Sequence, residues 1–167
     1  MALYGYAYHG KVIMVWDWFW YITLGLANEM LMLPIGLIYG LLEGVYAKKW
    51  KPVFGLLVLL IASIFVGEYL KSIFKIPLMF DPTRYAFPSG HTQFSTVFYG
   101  WICYRLVQNT THHFLKIFYI AVTLCILILA TASIVHAGYH LWRDILGGFV
   151  SGGILLYLWT RVKWFFV

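Results

Sequence analysis

The sequence predicts an all-α, polytopic bundle of transmembrane helices, with six spans favoured over five and one domain over residues 1–167. Three observations carry that prediction. Hydrophobic residues make up 62% of the 167 and charged residues only 11%, where a soluble domain carries about a quarter charged. Mean hydropathy is +0.80, and apolar stretches recur at close to the ~20 residues that a spanning helix needs. Aromatics reach 20%, with eight Trp and thirteen Tyr, rings that suit the boundary between lipid and water. A soluble globule and a disordered chain are excluded by the same numbers. So is a nucleic-acid partner, because the net charge of +6 is spread along the chain and lacks a polar scaffold.

The elements follow in order. Residues 1–11 are aromatic and polar, with no basic region ahead of an apolar stretch and no small-residue cleavage pattern, so the first span is expected to target the chain uncleaved. Val12 to Ala47 is too long for one span: as a single helix it would extend roughly 54 Å, against a hydrocarbon core of about 30 Å. A break at Asn28-Glu29 gives two short spans. In the five-span alternative, the stretch holding Trp16, Trp18 and Trp20 lies in the interface instead. Pro52 to Leu70, His91 to Val107, Phe114 to Val135 and Leu141 to Thr160 complete the set, each a helix because a spanning segment must satisfy its backbone internally. Cys103 and Cys125 sit in apolar runs and read as packed free thiols.

Alternating six spans places Lys11, Lys48, Lys49, Lys51, Arg105, Lys116, Arg161 and Lys163 on one side, cytoplasmic by the positive-inside rule. Lys71, Lys75, Arg84 and Arg143 fall opposite. Their two loops also carry Ser89, Gly90, His91, His140 and Asp144, so one membrane face collects cations, two histidines and an acid. Such a set suits a phosphate. Ser89 is a good N-cap and Gly90 leaves its N–H accessible at a helix start, where free donors and the dipole favour anions. His140 and Asp144, four apart, would share a helical face, and the carboxylate could hold one imidazole proton and free the other nitrogen for attack. Glu68, three before Lys71, reads as its ion-pair partner. Glu29 and Glu43 are flagged as acids inside apolar segments. His112 and His113 read as solvated.

At these residues the chain resembles the type 2 phosphatidic acid phosphatase superfamily of membrane lipid phosphatases. Pro88-Ser89-Gly90-His91 matches the family's second motif in full, a roughly one-in-a-thousand coincidence at background usage. Ser133, His140 and Asp144 fall on the spacing of the third, and Gly147 and Gly148 follow as in the family. The likeness covers roughly residues 68–150. Ile134 stands where the third motif has arginine, and the first motif is shifted, with Lys71 and Lys75 competing for its lysine and an arginine only at Arg84.

The resemblance implies a hydrolase of lipid phosphates or pyrophosphates that needs no metal or cofactor. His140 is the nucleophile and forms a phosphohistidine. Asp144 orients it, and His91 is acid and then base. Lys75 or Lys71, Arg84, Ser89, Gly90 and Arg143 hold the phosphoryl oxygens. It also implies a site facing the periplasm or exterior, which, with the small size, fits a bacterial inner membrane. Phosphatidic acid, phosphatidylglycerol phosphate, undecaprenyl pyrophosphate and lipid A all remain open as substrate, as do phosphotransfer and the oligomeric state. Two alternatives stand beside this reading: a catalytically silent member that binds lipid phosphate, favoured by Ile134, and a metal-binding membrane protein using His136, His140 and Asp144 as a stripe on an unbroken helix.

Overall fold

The computed structural model describes residues 15–78 and 81–162. Among them lie six α-helices: α1 Val15–Gly25, α2 Glu29–Gly40, α3 Trp50–Phe74, α4 Gly90–Asn109, α5 His113–His136 and α6 Trp142–Thr160. A π-helical segment, Leu41–Tyr46, continues α2. No strand occurs among the described residues beyond an isolated antiparallel bridge between Pro77 and Tyr85.

The expected break at Asn28-Glu29 is present: α1 ends at Gly25 and a turn over Leu26–Asn28 leads into α2. The four later spans coincide with α3 to α6 to within a few residues. Two helices, α3 and α5, are long and apolar enough to cross a membrane. At 20 and 19 residues, α4 and α6 reach about 30 and 28 Å. They are less apolar because α4 is the central helix, packed against α3, α5 and α6. Its Thr92, Gln93, Ser95 and Thr96 are buried among protein neighbours. The described part of α1 is 11 residues, about 16 Å, and Val12 and Lys11 lie outside the described residues.

The core forms around α4: Val97, Phe98, Tyr99 and Trp101 pack with Leu56 and Leu59 of α3, Met32 and Tyr39 of α2, and Leu127 of α5. Glycines set the approach of α6. A Cβ at Gly148 would stand 2.7 Å from the carbonyl oxygen of Ser89, and one at Gly152 2.8 Å from that of Gln93. The two backbones therefore touch, as small residues permit in membrane bundles. The outer faces carry exposed Leu33, Phe54, Phe65, Phe114 and Ile128, an apolar surface far larger than a soluble monomer shows.

Two expectations are corrected here, and one residue gains a partner: Arg105, near the end of α4, is 7% exposed and pairs with Glu43 at 3.2 Å, while Asn109 donates to the same carboxylate at 3.0 Å. The acid flagged at Glu43 thus neutralises a buried guanidinium. Cys125 is exposed and Cys103 half-buried, both free. An apolar run does not distinguish the core face of a membrane helix from its lipid face, so a packed Cys125 was the wrong expectation. Finally, no helix runs through His136, His140 and Asp144. α5 stops at His136 and Gly138 adopts φ 75°, a left-handed turn that glycine takes without strain. His140 precedes α6 instead of lying on it.

Candidate active site

The loop between α3 and α4 is folded back on itself. Ala86 donates to the carbonyl of Ile76 at 2.7 Å and Leu78 to that of Arg84 at 2.8 Å. At its tip the Asp81 carboxylate accepts the Thr83 hydroxyl and amide, which hold it below the usual carboxylate range. This closure returns Arg84 and Tyr85 over the ends of α3 and α4.

Ser89 caps α4 as its sequence position predicts. Its Oγ accepts the Thr92 amide at 3.4 Å and the Thr92 hydroxyl at 3.1 Å. Its own N–H donates to the carbonyl of Asp144 at 2.9 Å. Ser89 is fully buried, so its polar atoms serve the cap and the α6 contact. Gly90 and His91 open the first turn beyond it.

On the other side, the short link between α5 and α6 carries His140. Its Nδ1 is buried and stands 3.6 Å from Asp144 Oδ2, a charge contact just longer than a hydrogen bond. Asp144 is itself 1% exposed. Its Oδ2 accepts the Leu141 amide at 3.0 Å, satisfying the N-cap N–H at the start of α6, and its Oδ1 lies 3.4 Å from Arg143 Nε. One carboxylate therefore fixes the helix start and faces the imidazole. Burial pushes the His140 pKa below its ordinary 6.5, with His91 and Lys71 adding to the effect and Asp144 opposing it.

These elements enclose a cavity of about 390 Å³. Lys71 and Glu68 line it from α3, Arg84 and Tyr85 from the loop, Gly90, His91 and Phe94 from α4, and Tyr139 and His140 from the α5–α6 link. Ala27, Ser63, Ile64, Gly67 and Leu78 complete a more apolar wall. Lys71 Nζ bonds Glu68 Oε1 at 2.7 Å, the ion pair expected from their spacing. It also reaches across to α4, lying 3.5 Å from where a Gly90 Cβ would stand.

The sequence-predicted residues divide accordingly. His91, His140, Lys71, Arg84 and Gly90 meet at one cavity. Asp144 and Ser89 stand directly behind it. Arg143 clamps Asp144 without lining the space. Lys75, exposed at the C-cap of α3 with φ 49°, is outside the lining. Ser133 bonds back to Ala130 within α5 at 2.7 Å. Ile134 is buried in an apolar cluster with Ala27, Ala130 and Ile145. His136 stacks on Trp20, ring centroids 4.6 Å apart. Among the described residues no three His, Cys, Asp or Glu side chains gather where a metal ion could be held. Sequence reasoning passed over Tyr85 and Tyr139, whose only signal is adjacency to Arg84 and His140.

The PAP2 superfamily matches residues 18–167, which include both loops that build this cavity. The chain belongs to the PAP2 superfamily. It is 30% identical over 146 residues to phosphatidylglycerophosphatase B of Bacillus subtilis (strain 168), covering 80% of this chain and 68% of that protein. The fold is similar to the crystal structure of a transmembrane PAP2-type phosphatidylglycerolphosphate phosphatase from Bacillus subtilis. The TM-score is 0.74 at 25% identity, over 89% of this chain and 77% of that one. The chain is thus an all-α membrane enzyme of a phosphatase family that acts on lipid phosphates, as the motifs at Pro88–His91 and Ser133–Asp144 imply.

Proposed function

We propose that this chain hydrolyses the phosphate monoester or pyrophosphate of a membrane lipid through a phosphohistidine on His140. The observation that carries the reading is the convergence of His91 and His140, 49 positions apart, on one cavity that also holds Lys71 and Arg84. Asp144 faces Nδ1, so Nε2 is the nitrogen directed at substrate. Nε2 attacks phosphorus, the P–O bond to the lipid breaks, and His91 gives the leaving oxygen its proton. Lys71, Arg84 and the Gly90 N–H hold the phosphoryl oxygens where charge develops, while Ser89 caps the same helix start through the Thr92 amide. Water then gives a proton to His91 and attacks the phosphohistidine, releasing phosphate and restoring Nε2. The fixed cations supply the electrostatic stabilisation, so the cycle is written without a metal.

Phosphatidylglycerol phosphate is the first substrate to test, because both relatives described above are named for it. The apolar wall of Ile64, Leu78 and Phe94 would receive the start of an acyl chain. Six spans would set the cavity at the periplasmic or outer rim of a bacterial inner membrane, with the Glu43–Arg105 pair about 21 Å down α4 from His91 towards the cytoplasm. The test is phosphate release in detergent from phosphatidylglycerol phosphate, phosphatidic acid, undecaprenyl pyrophosphate and lipid A, with and without excess EDTA, for the native chain and His140→Ala. Release from at least one substrate, kept in EDTA and abolished by His140→Ala, supports the reading. Lipid binding with no release from any of the four would favour the silent-member alternative that Ile134 raises. Loss of release in EDTA would overturn the metal-free cycle.

A further inference from the structure

We infer that Gln93 is a positioning residue that sets the spacing of the three helices carrying the reactive groups. This inference rests on the function proposed above. Gln93 is 1% exposed in the middle of the bundle, two residues after His91, and does not line the cavity. Its amide is divided among three helices. Nε2 donates to the Ser63 carbonyl of α3 at 2.7 Å and lies 3.3 Å from the Ser63 hydroxyl. Oε1 accepts the Ser151 hydroxyl of α6 at 2.9 Å. Gly67 packs beside it: a Cβ there would lie 3.5 Å from Gln93 Oε1, in ordinary contact.

Each partner sits about two turns below part of the site: Ser63 precedes Lys71 by eight residues on α3, and Ser151 follows Asp144 by seven on α6. An uncharged amide with donor and acceptor both engaged specifies a unique helix register where apolar contacts alone permit sliding. Gln93, itself on α4, is thus bonded to α3 and α6, and these are the three helices whose ends hold His91, Lys71 and Asp144. Catalysis needs those groups in fixed mutual geometry, and small misplacements are costly.

The experiment compares native protein, Gln93→Leu and Ser151→Ala, each with Cys103 and Cys125 replaced by serine and spin labels on cysteines at the exposed positions 73 and 146. Three quantities are read: kcat and KM for phosphatidylglycerol phosphate, the label-to-label distance distribution, and the thermal midpoint in detergent. Gln93→Leu is expected to broaden or shift the distance distribution and to lower kcat at least tenfold with KM within about twofold, while still unfolding cooperatively. Ser151→Ala, which cuts one arm, is expected to do the same to a smaller degree. A native distance distribution in Gln93→Leu, or a native kcat, overturns the inference. If the native protein releases no phosphate from any lipid, the functional reading fails on its own account. The distance distribution then decides the positioning role alone.

Discussion

The amide of Ser89 donates to the carbonyl oxygen of Asp144 across 2.9 Å. The cap of α4 and the first turn of α6 are therefore joined backbone to backbone, and the two histidines flanking them inherit a common reference. Gly148 makes the approach possible: a Cβ there would meet the Ser89 carbonyl oxygen and Thr92 Cβ, both at 2.7 Å. Gly148→Ala must push α6 away from α4. The expected outcome is a loss of about 1–3 kcal/mol in stability, as for overpacking in a tight core, with a larger proportional fall in phosphate release. Thermal unfolding and turnover on the same preparation check it.

Asp144→Asn separates the two duties of that carboxylate. An amide oxygen still accepts the Leu141 N–H, so α6 keeps its cap and the fold is expected to persist by circular dichroism. The negative charge facing His140 Nδ1 is lost, and turnover should fall about 100-fold or more, in the range seen when a group stabilising transition-state charge is removed. A variant that unfolds would show that the negative charge itself, beyond the cap that the amide preserves, holds the start of α6 in place. One with native turnover would remove its catalytic role.

Lys71 and Lys75 make a direct comparison. Lys71 lines the cavity and Lys75 does not. Lys71→Ala is expected to lower turnover by roughly 10²-fold, the scale of a lost oxyanion contact, and Lys75→Ala to leave it within about threefold. Steady-state kinetics on a phosphate-bearing lipid decide between them, and a reversed order would place the phosphate elsewhere.

The pH dependence follows from the buried imidazole. His140 titrates below its ordinary 6.5, first because burial disfavours the imidazolium and then because His91 and Lys71 repel it. In the unfolded chain the ordinary value returns. Between the two values the unfolded state binds more protons, so stability rises with pH through that window and is lost as pH falls from about 6.5 towards the folded value. The nucleophilic form persists over the same range, so the acid limb of kcat/KM should lie below pH 6.5. A pH–rate profile with its acid limb above that value would contradict the site, and His140→Ala should flatten this part of the stability profile.

At the far end of α4, Glu43→Gln leaves the Arg105 guanidinium buried beside a neutral amide. Breaking a buried pair costs roughly 3–5 kcal/mol, so the thermal midpoint should drop sharply. Below that midpoint turnover should remain native, since the pair is remote from the cavity.

What could be read in advance was local. Ser89 shows itself as a cap from its place before Gly90-His91, Glu68 and Lys71 pair at helical spacing, and Asn28-Glu29 marks the break between the first two helices. Each needs only a few neighbouring residues. The features that could not be read in advance depend on partners distant in sequence or on which side of a helix faces protein. Arg105 finds Glu43 across 62 positions. Cys125 faces outward on a helix apolar on all sides. That Lys71 and not Lys75 lines the cavity waits on where α3 ends, and Gly138 turns the link before α6 so that His140 leaves the helix its spacing had suggested. Gln93 carries no motif at all. Its importance is visible only once Ser63 and Ser151 are seen on either side of it.

The left-handed turn at Gly138 has a mechanical implication. A ring mounted on the interior of a helix can change its burden only if neighbouring turns yield. His140 hangs from a short bridge between two helices, with one nitrogen facing a neighbouring acid. Were it to carry a phosphoryl group as proposed, the load would fall on a connecting link and not on the interior of either helix.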